Sequence, residues 1–133
     1  MHSKSKIIID VLMMIGMAFS MSFHLLGVGT HKLIGLLTFA LFIIHNILNR
    51  GWYKGLFKGK YTPARTIHAI TNIIVVIAVV GIMISGVILS KDMANGLVDT
   101  MTLGRILHLA SSYIACVGIA LHIGFHLKRK KRR

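Results

Sequence analysis

Four histidines stand in two equally spaced pairs. His31 and His45 are 14 residues apart in one apolar stretch, and His108 and His122 are 14 apart in another. Fourteen residues is close to four helical turns. The histidines of a pair therefore look out from nearly one face, about 21 Å apart along the axis. Two such helices would present four imidazoles two by two, at two depths. A zinc or copper ion needs its ligands clustered within a few ångströms, and two histidines per depth do not supply that. No Glu or Cys sits near enough to complete a set. A flat macrocycle that brings four nitrogens of its own needs only two. Bis-imidazole ligation of haem iron fits, twice, with His31 opposite His108 and His45 opposite His122. A histidine in an apolar span is costly without a partner or a task. A satisfied core histidine explains one such residue more readily than four in matched pairs.

The elements that would position them follow from composition. The chain has 133 residues, 55% of them hydrophobic, and a mean hydropathy of +0.75. That is too apolar for an ordinary soluble domain of this size, and the length predicts one domain, residues 1–133. Apolar runs cover about 7–26, 31–48, 67–89 and 103–127. Each is near the length that spans a hydrocarbon core of about 30 Å. Helix is the only open-chain solution there, because backbone polar groups must pair internally. The prediction is an all-α, integral-membrane, up-down four-helix bundle. Its second and fourth helices run in the same direction as diagonal neighbours. His31 and His108 then share an outer depth, and His45 and His122 an inner one.

Charge orients the weave. The formal net charge is +13, which first suggests nucleic acid. Of the 16 Lys and Arg, however, only Lys32, Lys91 and Arg105 fall on one side of the four spans. The rest cluster at Lys4 and Lys6, between Arg50 and Arg65, and from Lys128 to Arg133. This positive-inside asymmetry predicts a multi-pass protein of the cytoplasmic membrane with both termini in the cytoplasm, and argues against a nucleic-acid partner. The C-terminal basic run suits anionic lipid headgroups. Trp52, Tyr53, Phe57 and Tyr61 alternate with lysines after the second span, a pattern read here as an interfacial belt rather than an RNA platform. Pro63 suits the start of the third helix. Gly27–Thr30 and the polar stretch Ser90–Thr102, with Asp92 and Asp99, are the expected outer turns. The N-terminus superficially resembles a signal peptide, but Asp10 interrupts it and no A-x-A-like site follows, so it is read as an uncleaved span. Cys116 stands alone, has no C-x-x-C-H context, and is expected to be a small buried residue. Met13, Met14, Met17 and Met21 are read as packing rather than soft-metal ligands.

Further residues join the candidate cofactor site. Gly104 and Gly118 each precede a histidine of the second pair by four, and Gly35 follows His31 by four. Glycine one turn away on the same face leaves room for a macrocycle edge, or serves ordinary small-residue helix packing. Arg105 and Lys32 suit the anionic propionates of an outer haem, and Arg50 or Arg65 those of an inner one. Plain snorkelling cations are the equal alternative. His126, one turn beyond His122, is the alternative inner ligand. His68 lies near the same depth, and His24 reads as a polar interfacial residue.

These residues resemble a family. The two H-x13-H pairs look like those of the small di-haem cytochromes b of the cytochrome b561 and ferric-reductase-like kind. More closely, HKLIGLLTFALFIIHNILNRGWYKGLFKGKYTPAR and GRILHLASSYIACVGIALHIGFHLK are similar to small bacterial four-helix membrane proteins. The resemblance covers nearly the whole chain. It implies two haem b cofactors, His31, His45, His108 and His122 as axial ligands, and electron transfer across the membrane. The chain departs from larger relatives in lacking a flavin- or nicotinamide-binding domain, which leaves the donor open between quinol and a cytoplasmic reductase. Quinone, ferric iron and superoxide are the acceptors considered, so a membrane oxidoreductase is one outcome. Bis-histidine iron has no open position and suits electron transfer better than oxygen binding. The alternative is a haem-binding protein for buffering, sensing or homeostasis, with His24, His68 and His126 on an entry path. A third reading is a partner subunit that makes contact through its basic tail. Oligomeric state is not legible.

Overall fold

The structure, a computed structural model, describes residues 3–95 and 98–132. It is all-α. The helices are α1 (Ser3–Met21), α2 (Phe23–Leu48), α3 (Arg50–Gly55), α4 (Pro63–Asn95) and α5 (Val98–Lys131). They fall into two compact units, Met1–Gly59 and Lys60–Arg133. Each is built on an antiparallel helical hairpin.

In the first unit α1 packs on α2. Ser20, Gly16 and Asp10 of α1 meet His31, Thr38 and His45 of α2, stepping in opposite directions along the two helices. The three α2 residues are seven apart, the repeat that keeps one seam facing a partner helix. Gly16 permits the close approach, since a Cβ there would overlap the Thr38 hydroxyl. The chain is bent at Gly27, with φ 76° and ψ 170° inside α2. Glycine takes that left-handed backbone without the steric cost of a side chain. The expected turn over Gly27–Thr30 is narrower than predicted, because helix resumes directly after Gly27. A second left-handed glycine, Gly59, with φ 80°, lies in the link after α3.

In the second unit α4 packs on α5. Thr62 starts α4: its Oγ1 accepts the Arg65 N–H at 3.3 Å and its carbonyl accepts the Thr66 N–H at 2.9 Å. Pro63 occupies the first helical position, where no donor is needed. Small residues line the seam. Ala69, Thr71, Ala78 and Ser85 of α4 are buried, as are Ala115, Gly104 and Gly118 of α5. Between lipid-embedded helices no hydrophobic force drives association, and close contact across small side chains takes its place. A Cβ on Gly118 would lie 2.6 Å from Val75 Cγ2, and one on Gly81 would lie 2.8 Å from Ser111 Oγ. Gly118→Val should therefore push α5 off α4. We expect a loss of about 1–3 kcal/mol, the usual range for overpacking, read as a lower thermal midpoint in detergent. A Gly35→Ala control, at a position with nothing within 4 Å of the new Cβ, should leave the midpoint unchanged.

The seams are small and the outer faces are apolar. Ile67, Ile70, Ile74, Ile77 and Ile84 of α4 are all exposed, as are Leu33, Leu36 and Leu37 of α2. Three helical segments, Phe23–Leu48, Pro63–Lys91 and Met101–Lys131, are long and apolar enough to cross a membrane. The expectation of four spans is thus met in length and composition by three helices. α1 carries Lys4, Lys6 and Asp10 within its 19 residues and is not among them. α4 and α5, with 33 and 34 residues, run well beyond the predicted spans. At about 1.5 Å per residue each exceeds the roughly 30 Å of a hydrocarbon core. Most of the expected Ser90–Thr102 loop is helical. The connection at Gly96 and Leu97, and the side chains of Asp92 and Asp99, lie outside the described residues. Cys116, expected to be buried, is exposed: it follows the fully buried Ala115 and so turns away from the seam.

Candidate functional site

α2 and α5 carry the four histidines, and α1 and α4 hold their rings. His45 Nδ1 lies 2.7 Å from Asp10 Oδ1. His31 Nδ1 lies 3.1 Å from the Ser20 carbonyl oxygen. His108 Nδ1 lies 3.1 Å from the Ile82 carbonyl oxygen and 3.1 Å from Ser85 Oγ. His122 Nδ1 lies 2.6 Å from Asn72 Oδ1. In every case the same ring nitrogen meets an oxygen on the neighbouring helix of its own hairpin.

Carbonyl and carboxylate oxygens can only accept, so Nδ1 must carry the proton and donate it. A neutral imidazole protonated at Nδ1 has its lone pair at Nε2. This is the arrangement that second-sphere groups impose on metal-ligating histidines: one nitrogen is fixed, and the other becomes the ligand atom. Ser85 adds precision at His108. Its hydroxyl donates to the Gly81 carbonyl at 2.7 Å, leaving its lone pairs facing Nδ1, and the side chain is 1% exposed. A Cβ on Gly86 would lie 3.5 Å from His108 Cε1, in ordinary contact with the ring. Beside His31, the Phe23 ring packs edge-on at 5.2 Å between centroids. Ser20 Oγ is buried with no hydrogen-bond partner among the described residues.

The other described histidines differ. His24 meets the Phe23 ring, His68 lies over Phe125 with centroids 4.4 Å apart, and His126 stands edge-on to His122 at 4.6 Å. None of the three has a ring nitrogen held by an oxygen among the described residues. The oxygen acceptors thus single out the four histidines that the spacing singled out.

Other predicted site residues are placed as follows. Gly118 lies against Val75, and Gly104 against Leu89 and Ile88, where an added Cβ would come within 3.2 Å of Leu89. Contact with α4 alone accounts for their lack of a side chain. Gly35 faces open space. Arg105, Lys32 and Arg50 are exposed. Arg65 is turned to its own helix start, donating to the Lys60 carbonyl at 3.1 Å and lying 4.4 Å over the Tyr61 ring. Near His45 a polar chain continues past the end of α2. Lys6 Nζ donates to Asn49 Oδ1 at 3.3 Å, and Asn49 Nδ2 donates to the His45 carbonyl at 2.8 Å. Tyr53 of α3 donates to Asn46 Oδ1, and burial pushes its phenol pKa up.

The partners on α1 and α4 were the part sequence reasoning missed. Asp10 and Asn72 left a signal as polar residues in or beside apolar runs, but nothing tied them to particular histidines. No group of three or more His, Cys, Asp or Glu side chains able to hold a metal ion occurs among the described residues. Two histidines per iron do not require one.

Fold and site define an all-α chain of helical hairpins, with helices able to cross a membrane and four imidazoles set in one tautomer. No family model, curated protein or solved structure matches the chain. A functional reading therefore rests on the residues themselves.

Proposed function

We propose that the chain is an integral-membrane di-haem b-type cytochrome. It folds as an up-down four-helix bundle in the cytoplasmic membrane, with both termini on the cytoplasmic side. His31 and His108 hold one haem through Nε2, and His45 and His122 hold the other. The observation that carries this reading is the oxygen acceptor at Nδ1 of those four histidines and of no other described histidine. α1 enters the bundle despite its charges because Asp10 is paired with His45 and Lys6 reaches the Asn49 amide. Haem b between two histidines supplies reversible one-electron chemistry at an iron with no open position. The chain's own part is to fix the imidazoles, exclude water with apolar helices, and hold each Nδ1 proton on an oxygen. Electrons are carried across the membrane between a quinol or cytoplasmic donor and an acceptor such as quinone, ferric iron or superoxide.

Purified in detergent and reduced, the protein should show a b-type spectrum and close to two haems per chain by pyridine haemochrome assay. A haem-free preparation that cannot be reconstituted with haem would overturn the reading. The second reading, haem buffering or homeostasis, draws support from the imidazole of His126 beside His122. It predicts haem that leaves readily for a scavenging apoprotein, and slow oxidation of the reduced protein by quinone or superoxide. Electron carriage predicts retained haem and rapid oxidation.

A further inference from the structure

The acceptors at the four histidines are not equal. His31 and His108 donate to backbone carbonyls, His122 to a neutral amide oxygen, and His45 to a carboxylate. Hydrogen bonding from Nδ1 makes an imidazole more electron-donating, and an anionic acceptor does so more strongly than a neutral one. The carboxylate also keeps its charge for His45. Lys6, one turn before Asp10 on α1, reaches for Asn49 instead. The only ion pair of Asp10 among the described residues is the one with His45. Asp10 and Asn72 side chains meet the histidines towards the C-terminal ends of α2 and α5, whereas main-chain carbonyls meet the other two, joined at His108 by Ser85 Oγ.

We propose that Asp10 is a positioning residue that makes His45 the most electron-donating of the four ligands, giving the iron held by His45 the lower reduction potential. The inference rests on the di-haem reading above. A more basic axial ligand stabilises the oxidised iron, and hydrogen bonding to that ligand is one of the protein's levers on haem potential. In the proposed topology the lower potential lies at the cytoplasmic depth.

Redox titration of the purified protein with both haems bound tests this. Two midpoint potentials should be resolved in the wild type. Asp10→Asn keeps an oxygen for Nδ1 and removes the charge. It should raise the lower potential and leave the other in place, with haem content and thermal midpoint unchanged. Asn72→Asp adds a charge beside His122 and should lower the potential of the same iron. In the haem-free protein, 15N histidine spectra should show His45 protonated at Nδ1, with that resonance moving when Asp10 becomes Asn. Two haems bound to Asp10→Asn with both potentials unmoved would overturn the inference and leave the di-haem reading standing. A wild type that binds no haem would overturn both. Should Asp10→Asn shed haem, the outcome falls to Asn72→Asp, and unmoved potentials there overturn the inference.

Discussion

His122→Ala should leave the protein with about half its haem, and His126→Ala should leave it with all of it. These two residues are one turn apart on α5, with rings 4.6 Å apart, so position alone barely separates them. Their surroundings separate them clearly. His122 gives its Nδ1 proton to Asn72 Oδ1 at 2.6 Å, which fixes both the tautomer and the plane of the ring. His126 has no such acceptor among the described residues and is exposed. A ligand whose ring is already held loses less freedom on binding than one that must be ordered first. The measurement is haem per chain by pyridine haemochrome assay, with the reduced spectrum of each variant. His108→Ala should also remove one haem, the one left in place by His122→Ala, and the two spectra should differ. Loss of haem from His126→Ala but not from His122→Ala would exchange the two assignments.

Asn72→Leu should weaken the hold on one haem by about 10–100-fold, the usual effect of removing a second-sphere partner of a metal-bound histidine. The substitution keeps the branched shape near His122 and removes the Asn72 oxygen that accepts its Nδ1 proton. The proton is then free to move to Nε2, where it would block ligation, and the ring is free to turn. Asn72→Asp restores an acceptor and should restore retention. Transfer of haem to a scavenging apoprotein gives the readout: one of two phases should speed up in Asn72→Leu and return to its slow rate in Asn72→Asp. At tenfold per about 1.4 kcal/mol, the effect is comparable in size to the Gly118→Val packing change in the same hairpin. It acts on the ligand atom directly, and steric changes such as Gly118→Val act on the fit between α4 and α5.

The four candidate histidines were legible from sequence because their pattern rests on short-range arithmetic. Equal spacing places two residues on one helix face whatever the helix packs against, and the apolar runs are long enough to declare themselves. The partners of those histidines were not legible, because they depend on which turn of one helix faces which turn of another. Asp10 lies 35 residues before His45, and Asn72 lies 50 before His122. Two of the acceptors, at Ser20 and Ile82, are main-chain carbonyls, which every residue possesses and no side-chain pattern marks. Gly104 and Gly118 show a related ambiguity. Their spacing puts them on the histidine face, and that face of α5 is also the one that meets α4. Cys116 was misplaced because its type suggests burial, yet its neighbour Ala115 holds the seam position.

On α2 the seam reads His31, Thr38, His45, and on α5 it reads His108, Ala115, His122, each step being seven residues. Seven residues of a straight helix fall roughly 20° short of two full turns, a drift that a left-handed crossing absorbs. One residue more or fewer between the histidines cannot be absorbed that way. It would swing one imidazole roughly 100° around the axis, away from its acceptor and out of the seam. The stretches between the histidines are therefore permissive in composition and strict in length. Their residues act as a rotational spacer, keeping two histidines in phase over about four turns of helix.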